Sequence, residues 1–416
     1  MKLGLASIDE LCARLGRPER AFPSVLIGGT NGKGSCAATL AAIAHAAGRR
    51  TGLYTSPHLI DVTERVRVSE RDVSADELDD ALRRVFAAAD AAPEVPVTYF
   101  EAVTAAAFAI FASRGVELGI LEVGLGGRFD ATNVAPAILS AVTSIGLDHT
   151  EELGPTTDRI AAEKAGIFRA GKPALFSAED AAAAAVLEFE AARLGALAHD
   201  LRAEVAVEVE STDLAGTRLV LRTPRGLARL STPLPGRHQA VNVAVAVRAA
   251  ELLAPEVPGL TPEAVAAGVA GVRWPGRLET LSDGVREVVL DGCHNADGAA
   301  RLAGFLEDSG LTGRTDLIFG AMADKDIEAM AGSLFPRVRR VLLVPAPGPR
   351  AATPRELSRR TAGIGDTVEQ ESLAAALRTL RADPSREPII VAGSLYLVGQ
   401  ARALLRPAPR GGGEAR

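Results

Sequence analysis

The chain has 416 residues, of which 47% are hydrophobic and 24% are charged, and its formal net charge at pH 7 is −6. This length exceeds what one hydrophobic core usually serves, so we expect two domains. Nucleic acid is disfavoured as a partner, because an acidic chain with 4% aromatic residues offers neither a basic field nor a stacking platform. Three cysteines at scattered spacings match neither a disulfide framework nor a zinc cluster and favour a reducing cytoplasm.

The sequence does not favour secretion or membrane insertion. Asp9 and Glu10 interrupt the first twenty residues, which argues against a signal peptide. No apolar run is long enough to cross a membrane. We therefore expect a cytoplasmic protein without a membrane partner. The tail 407–416 is rich in Pro and Gly and is predicted to be disordered.

Strand-like apolar runs alternate with helix-like segments in the first part of the chain. Residues 24–28 have the composition of a buried strand that leads into a glycine-rich turn, and the alanine-rich stretch 35–47 has helical composition. The runs 118–123 and 138–145 also end in glycines and polar residues. Because parallel strands present their carboxyl ends at one edge of a sheet, we expect a ligand site there. Residues 200–235 alternate in a way that predicts a small antiparallel excursion.

The last part of the chain alternates more regularly and predicts a second α/β domain. Its apolar segments lie at 288–290, 317–319, 341–344 and 389–391. Pro275 and Gly276 interrupt regular secondary structure, which suggests a domain boundary there. The predicted domains are an N-terminal one over 1–275, a linker over 276–284 and a C-terminal one over 285–406.

The predicted fold is therefore α/β with two domains. The N-terminal domain is expected to be of the P-loop mononucleotide-binding type, with a mostly parallel sheet and the small antiparallel excursion. The C-terminal domain is expected to be Rossmann-like.

Residues 28–35, Gly-Gly-Thr-Asn-Gly-Lys-Gly-Ser, resemble a phosphate loop in their context between a strand and a helix. Lys33 would meet the β- and γ-phosphates, and Ser35 would offer its hydroxyl to Mg²⁺. The spacing departs from the common loop, since Gly28 lies four rather than five residues before Gly32 and Gly34 separates the lysine from the serine. A tight glycine turn with a solvated lysine is the alternative.

Three more residues at strand or helix ends suggest metal chemistry, each with a simpler alternative. Glu122 lies inside an apolar run, where a buried carboxylate needs a cation, either Mg²⁺ or a lysine or arginine. His149 ends the next strand and is either a nitrogen ligand or a structural residue. Lys164 ends a helix-like segment and either complements the helix C-terminus or, if carbamylated, binds metal.

Eight motifs follow one another along nearly the whole chain: Gly29-Thr-Asn-Gly-Lys-Gly-Ser35, Thr55-Ser-Pro-His-Leu59, Thr98-Tyr-Phe-Glu101, Glu122-Val-Gly-Leu-Gly-Gly-Arg-Phe-Asp-Ala-Thr-Asn133, Asp148-His-Thr150, Glu163-Lys-Ala-Gly-Ile167, Asp291-Gly-Cys-His-Asn295 and Gly393-Ser-Leu-Tyr396. In this order they resemble folylpolyglutamate synthase and dihydrofolate synthase of the Mur ligase superfamily. Cys293 and Ala296 depart from the family's Ala-His-Asn-Pro but spare the polar residues, and Arg273 competes with Arg277 for the family arginine.

The resemblance implies an ATP-dependent ligase that adds L-glutamate to dihydropteroate, to reduced folates or to both, through an acyl-phosphate. ATP would bridge both domains, in contact with Gly29, Thr30, Asn31, Gly32, Lys33, Gly34, Ser35, Asn242, Arg277 and Asp291. The implied catalytic residues are Lys33, Lys164, His149, Arg277 and His294. One Mg²⁺ is implied on Ser35 and Glu122 and a second on Glu122, His149 and carbamylated Lys164; K⁺ is left open.

A folate-side pocket is implied around Ser56, Pro57, His58, Phe100 and Asp130. Without the resemblance, Phe100 would be interpreted as core and Asp130 as a loop carboxylate or cap. Two rival functions stay open: a Mur-type ligase acting on a peptidoglycan precursor, and a non-catalytic P-loop nucleotide-binding protein. We expect a bifunctional, monomeric enzyme whose partners are folate or dihydropteroate, L-glutamate and ATP.

Overall fold

The computed structural model describes residues 4–406, which divide into two compact units. The N-terminal unit comprises residues up to 211 together with 217–233 and 238–273, and the C-terminal unit comprises the rest. The main division at Arg273/Trp274 lies close to the predicted domain end at residue 275. The predicted disordered tail, 407–416, lies outside the described residues.

The N-terminal unit is built on an eight-stranded sheet in the order β4-β3-β2-β5-β1-β6-β7-β8. Its strands are β1 (Ser24–Gly28), β2 (Thr51–Tyr54), β3 (Val66–Val68), β4 (Arg71–Asp72), β5 (Leu118–Glu122), β6 (Ala137–Val142), β7 (Pro173–Phe176) and β8 (Leu197–Asp200). Six neighbouring strands, β2, β5, β1, β6, β7 and β8, run parallel, and β3 and β4 are antiparallel additions at one edge. The predicted mostly parallel sheet is confirmed.

Strand β1 lies at the centre of this sheet, between β5 and β6, and all of its residues are buried. Such burial on both faces explains why its sequence is a continuous apolar run rather than an alternating one. Chain order reverses on either side of β1, and in open parallel sheets the crevice at such a point is where ligands bind.

Helices pack around this sheet. They are α1 (Ala6–Arg14), α2 (Lys33–Ala46), α3 (Ala75–Asp90), α4 (Tyr99–Ser113), α5 (Thr150–Leu153), α6 (Thr157–Lys164), α7 (Ala181–Leu194), α8 (Leu201–Glu204), α9 (Arg237–Leu253) and α10 (Pro262–Gly271). Helix α2 is buried on nearly every side, which explains its alanine-rich composition. Gly268 of α10 permits its close packing on α2, since a Cβ there would overlap the backbone of Ile43.

The predicted antiparallel excursion is a separate three-stranded sheet in the order β11-β10-β9. Its strands are β9 (Ala206–Asp213), β10 (Gly216–Thr223) and β11 (Gly226–Thr232). Leu219 pairs with Leu230 and Leu221 with Ala228 across the two later strands, so the leucines of the alternating pattern share one face.

The C-terminal unit contains a six-stranded sheet in the order β12-β13-β17-β14-β15-β16. Its strands are β12 (Glu279–Ser282), β13 (Glu287–Leu290), β14 (Asp316–Phe319), β15 (Arg340–Leu343), β16 (Thr367–Glu369) and β17 (Ile389–Ala392). Its helices are α11 (Ala296–Asp308), α12 (Ile327–Leu334), α13 (Pro354–Arg360), α14 (Leu373–Ala382) and α15 (Leu395–Leu405). Strand β12 occupies the predicted linker 276–284 and pairs antiparallel with β13, so this segment is part of the sheet.

Short 3₁₀ turns complete the fold at Pro18–Arg20, Val62–Arg65, Ala131–Val134, Ala165–Ile167 and Phe335–Arg337. Between residues 4 and 406, none of the helices combines the length and apolar composition that a membrane crossing requires.

Candidate active site

The turn between β1 and α2 has the geometry of a phosphate-binding loop. Gly32 precedes α2 with a left-handed backbone (φ 86°), and Gly29 has a φ of 138°. A Cβ on Gly29 would overlap the side chain of Thr143. Glycine is therefore required at both positions. The 14-residue helix α2 presents its first backbone N–H groups and the positive end of its dipole at this loop.

The loop is held in shape by the segment that follows β6. The backbone N–H of Thr30 donates to the carbonyl of Ser144 at 2.8 Å, and the Thr30 hydroxyl bonds both backbone groups of Gly146 at 3.0 Å. The carbonyl of Asn31 accepts from the hydroxyls of Thr143 at 2.7 Å and Ser144 at 2.9 Å. Sequence reasoning missed Thr143 and Ser144, although their place directly after a buried strand was a usable signal.

Two lysine side chains converge on one carbonyl of the loop. Lys33 Nζ donates to Gly29 O at 3.0 Å and to Thr30 O at 3.1 Å. Lys164 Nζ donates to the same Gly29 oxygen at 2.9 Å from a residue that is 5% exposed. Burial and then the charge of Lys33 lower the pKa of Lys164 to about 7, against the opposing effect of Asp148. A large fraction of this amine is therefore neutral near pH 7.

Lys164 reaches the loop because two glycines let neighbouring backbone segments approach each other. A Cβ on Gly127 would lie 3.0 Å from Lys164 Cα and 2.8 Å from its carbonyl oxygen. A Cβ on Gly166 would lie 2.7 Å from Arg128 Cα. The Arg128 N–H also donates to Glu163 O at 3.1 Å. The loop after β5 and the end of α6 are thus held together, which places Lys164 at the phosphate loop.

Glu122 ends β5 and is 5% exposed. Its Cα pairs with that of Ile27 in β1, so it lies beside the start of the phosphate loop, and its Oε2 accepts from the Ser56 N–H at 3.1 Å. Burial, with a contribution from the Glu122 charge, raises the pKa of the Cys36 thiol in α2. Ser35, in the first turn of α2, and Glu122 supply the oxygen atoms that Mg²⁺ prefers. These residue types fit the predicted ion, while their role as its ligands stays a prediction.

His149 lies just before α5 with a left-handed backbone (φ 52°), and its side chain is 44% exposed. Its backbone N–H donates to Asp148 Oδ1 at 3.0 Å. Across the described residues, no three His, Cys, Asp or Glu side chains gather in a cluster that could hold a metal ion. The predicted second metal set contains only Glu122 and His149 of these types. Its third ligand would have to come from carbamylated Lys164, so this set also stays a prediction.

Asn242, predicted to contact ATP, lies in α9 directly against the phosphate loop. A Cβ on Gly32 would overlap the Asn242 side-chain amide. The amide nitrogen donates to Gln239 Oε1 at 2.9 Å, which orients the group. The structure therefore brings Asn242 to the loop, as the predicted role requires.

In the C-terminal unit, Asp291 directly follows β13 at the carboxyl end of the strand. Its two oxygens accept hydrogen bonds from the backbone N–H groups of Leu278 at 3.2 Å and Cys293 at 3.0 Å. Burial raises the pKa of Asp291, and the neighbouring Arg277 guanidinium opposes that rise. Asp291 and Arg277, both predicted as ATP contacts, are thus neighbours.

Arg277 and His294 both contact the backbone around Gly292. Arg277 donates to Gly276 O at 3.1 Å, and a Cβ on Gly292 would overlap its guanidinium. His294 Nδ1 lies 3.0 Å from Gly292 O, so Nδ1 carries the proton. The predicted residues Arg277, Asp291 and His294 therefore form one group at this edge of the sheet.

Comparison with known proteins matches both parts of the chain. Residues 27–250 match the Mur ligase middle domain, and residues 276–395 match the Mur ligase glutamate ligase domain. The dihydrofolate synthase/folylpolyglutamate synthase of Bacillus subtilis is 33% identical over 98% of this chain and 96% of its own length. The chain belongs to the folylpolyglutamate/dihydrofolate synthase family. It is therefore an ATP-dependent amino-acid ligase of the Mur ligase superfamily, as the ordered motifs predicted.

Solved structures agree with this assignment. Escherichia coli FolC, solved in complex with DHPP and ADP, has a TM-score of 0.88 at 32% identity and covers 97% of this chain and 93% of that chain. A probable bifunctional folylpolyglutamate synthase/dihydropteroate synthase of Haloferax volcanii is 37% identical over 97% of this chain. The match covers only 48% of the length of that relative. Neither rival function, a peptidoglycan-precursor ligase or a non-catalytic P-loop protein, is favoured by these similarities.

On the predicted folate side of the synthase, Phe100 and Asp130 meet at Gly124. A Cβ on Gly124 would lie 2.7 Å from Phe100 Cζ and 3.1 Å from Asp130 Oδ2. Phe100 lies half-buried in the first turn of α4, with its ring centroid 6.2 Å from that of Tyr54. Phe100 is therefore partly accessible, although contact of its ring with a folate stays a prediction.

Asp130 organises the glycine-rich loop after β5. Its Oδ2 accepts from the N–H groups of Gly124 at 2.9 Å and Leu125 at 3.0 Å. Its Oδ1 accepts from the N–H of Thr132 at 3.0 Å and from the Thr132 hydroxyl at 2.6 Å. These contacts fit the interpretation of Asp130 as a cap. Because they use about four lone-pair positions, the predicted bond from Asp130 to a pterin ring would require some of them to be shared.

The other predicted folate-side residues, Ser56, Pro57 and His58, lie in a loop of residues 55–65 between β2 and β3, which we call the acceptor loop. The Ser56–Pro57 peptide bond is cis. His58 Nδ1 accepts a hydrogen bond from Arg65 Nε at 3.0 Å. Sequence reasoning missed Arg65, because nothing in the spacing of the motif shows that this arginine turns back toward the histidine.

Proposed function

We propose that this synthase uses ATP to add L-glutamate to dihydropteroate, to reduced folylpolyglutamates or to both, giving an amide, ADP and phosphate. The observation that carries the proposal is the pair of lysines on the Gly29 carbonyl, together with the buried carboxylate of Glu122 at the end of the neighbouring strand β5. A carboxylate is a poor acyl donor, so phosphorylation must first convert it to an acyl-phosphate that the glutamate amine attacks. Catalysis is then mainly positioning and charge neutralisation.

The roles of the individual residues follow from their chemistry. The N–H groups at the start of α2 and Lys33 bind and neutralise the ATP phosphates. Ser35 and Glu122 hold one Mg²⁺, which lowers the charge repulsion at the γ-phosphoryl group when it is bound. Arg277, Asp291 and His294 contact ATP or the glutamate, and Asn242 orients the nucleotide.

Lys164 is proposed to act as a carbamate that completes a second Mg²⁺ site with Glu122 and His149. Its pKa of about 7 supports this role, because only a neutral amine adds CO₂. Burial of Lys164 also limits the access of water, and so limits protonation and loss of the carbamate.

The folate-type acceptor is supported by the relatives. Escherichia coli FolC was solved with DHPP and ADP, and the Bacillus subtilis relative is named for both synthase activities. We therefore propose a bifunctional, cytoplasmic enzyme that acts as a monomer. Size-exclusion chromatography with light scattering tests the last point, and a dimer at micromolar concentration would reject it.

The proposed function is tested by measuring ADP release with Mg·ATP and L-glutamate, adding dihydropteroate or tetrahydrofolate separately and identifying the organic product by mass. We expect turnover that requires both glutamate and an acceptor. Activity with both acceptors supports the bifunctional enzyme, and activity with one restricts it. An ATP-binding preparation that turns over with neither acceptor would reject the folate assignment.

A further inference from the structure

The acceptor loop contains a buried arginine to which the proposed chemistry gives no role. The Thr55 N–H donates to Arg65 O at 2.9 Å and closes the loop where β2 ends and β3 begins. Arg65 is 8% exposed, although arginine is seldom so buried without a specific partner. Its Nε donates to His58 Nδ1 at 3.0 Å, and its guanidinium carbon lies 5.5 Å from the centre of the Tyr99 ring.

The contact between Arg65 and His58 determines which imidazole nitrogen carries the proton. Arginine has donors and no acceptor, so Nδ1 of His58 is unprotonated and Nε2 carries the hydrogen. Burial and the Arg65 charge lower the pKa of His58, while Glu64 and Asp61 act in the opposite direction. His58 is therefore a neutral Nε2–H donor at pH 7. Within the part of the chain that the structure describes, no group accepts a hydrogen bond from this nitrogen.

The rest of the acceptor loop is built to hold this donor in place. The carboxylate of Glu64 accepts from the N–H groups of Leu59 at 2.8 Å and Ile60 at 3.2 Å. The side chain of Asp61 accepts from the backbone N–H of Thr63 at 2.9 Å. Such internal bonds reduce the conformational freedom that a bound ligand would otherwise have to restrict.

The loop is also tied to the phosphate-loop region. The Ser56 N–H donates to Glu122 Oε2 at 3.1 Å, two residues before His58. Tyr99, which Arg65 stacks on, directly precedes Phe100 in α4. One arginine therefore connects the loop that carries His58 to the helix that carries the predicted stacking ring.

We infer that Arg65 is a positioning residue that presents the His58 Nε2–H to a neutral acceptor atom, a ring carbonyl or ring nitrogen, of the carboxylate-bearing substrate. This inference rests on the proposed function, because it takes the loop to be the acceptor side. An uncharged N–H donor suits a neutral heteroaromatic acceptor, whereas an imidazolium would favour a carboxylate. Arg65 itself acts through His58.

The first test reads the tautomer directly. The side chains of the six histidines are labelled with ¹⁵N, and the His58 signals are assigned by their loss in His58→Gln. We expect the Nε2–H tautomer in the wild type and a mixture of tautomers in Arg65→Met. Arg67→Met is the matched control, since Arg67 lies two residues further along the chain, in β3, and pairs with Asp72 at 2.6 Å. A His58 with its proton on Nδ1 in the wild type overturns the inference.

The second test separates binding from chemistry. His58→Leu and Arg65→Met should raise KM for the acceptor about tenfold, the effect of losing one hydrogen bond, with kcat and KM for ATP close to wild type. His58→Gln, whose amide nitrogen can take the place of Nε2, should stay within about threefold. Equal acceptor KM values in wild type and His58→Leu overturn the inference even if Arg65→Met fails to fold.

These outcomes distinguish the inference from the function on which it rests. A wild-type enzyme that shows no glutamate-dependent turnover with either acceptor rejects the proposed function and the inference together. An active wild type with an unaffected His58→Leu rejects the inference alone.

Discussion

Each unit buries a charged side chain at the end of a strand, but in opposite ways. In the N-terminal unit this is Lys164 at the phosphate loop, and in the C-terminal unit it is Asp316, which together with Arg286, Arg339 and Arg340 we call the Asp316 cluster. Asp316 is fully buried, and it accepts hydrogen bonds from Arg286 at 2.7 Å, Arg339 at 2.7 and 3.0 Å, and Arg340 at 3.1 Å. Burial alone would raise the pKa of Asp316, but these arginines hold it below its usual value.

Lys164 is also buried, with 5% of the residue exposed, but it lies beside a like charge. Among its charged neighbours Lys33 has the largest effect, and it lowers the pKa of Lys164 further, whereas Asp148 and Asp130 act in the opposite direction. A buried charge with opposite partners is stable and chemically quiet, whereas one with a like neighbour is shifted toward the neutral, reactive form. Burial therefore does not by itself mark a functional site, and the sign of the neighbours separates the two regions.

The largest expected effect is on stability. Asp316→Ala leaves the fully buried guanidinium of Arg286 without its carboxylate, so it should lower the free energy of unfolding by about 3–5 kcal/mol. Urea unfolding measures this. The control is Glu371→Ala, whose exposed pair with Arg378 at 3.8 Å should contribute less than about 0.5 kcal/mol. Equal losses in the two variants would contradict a structural role for the Asp316 cluster.

Lys33→Ala should act on catalysis and not on folding. Removal of its charge from the phosphates should reduce kcat about 10²- to 10³-fold, with an unfolding midpoint close to that of the wild type. Steady-state ADP release measures the rate. Lys172→Ala, which removes an exposed lysine paired with Glu256 at 3.1 Å, is the matched control and should remain active. Near-normal turnover of Lys33→Ala would defeat the phosphate-loop assignment.

Lys164→Ala should reduce kcat about 10²-fold, because it removes the proposed anionic carbamate from the site. If the lysine acts as a carbamate, high bicarbonate or acetate should restore part of the activity by supplying an anionic oxygen in its place. Intact-mass measurement of wild-type enzyme in bicarbonate buffer provides the independent readout. A fully active Lys164→Ala with no rescue refutes the role.

A smaller effect is expected in the pH dependence of stability. The pKa of Lys164 is about 7 in the folded chain and near 10.5 when unfolded, so the unfolded chain binds more protons between these values. The free energy of unfolding should therefore rise with pH across that window. Lys164→Met cannot titrate and should flatten the rise by about 1–2 kcal/mol between pH 7 and 9 in bicarbonate-free buffer. Parallel curves for the two proteins would contradict the shifted pKa.

Sequence reasoning performed best where local pattern determines structure. The buried strand 24–28, the glycine-rich turn and the alanine-rich helix were all confirmed, because hydrophobic run length and glycine placement act over short distances. The order of motifs also identified the family. The same pattern could not show that β12 lies within the predicted linker, because a four-residue strand becomes stable only through its pairing with β13.

The site was harder to predict where side chains meet across long stretches of chain. The Asn31 N–H donates to the hydroxyl of Ser144 from 113 residues away, and Lys164 meets Gly29 from 135 residues away. Ends of parallel strands suggested that such residues gather at one edge, but not which atoms meet. Asp130 shows the limit most clearly: the sequence left both a ligand contact and a cap open, and the four hydrogen bonds by which its carboxylate caps the loop are visible only in the structure.

The central claim, that this site activates a carboxylate through an acyl-phosphate, is tested most directly with dihydropteroate or tetrahydrofolate labelled with ¹⁸O in the reacting carboxylate. After ligation with Mg·ATP and L-glutamate, the released phosphate is analysed by mass. The account predicts one ¹⁸O atom transferred to phosphate for each amide bond formed. Amide formation that leaves the phosphate unlabelled would contradict it.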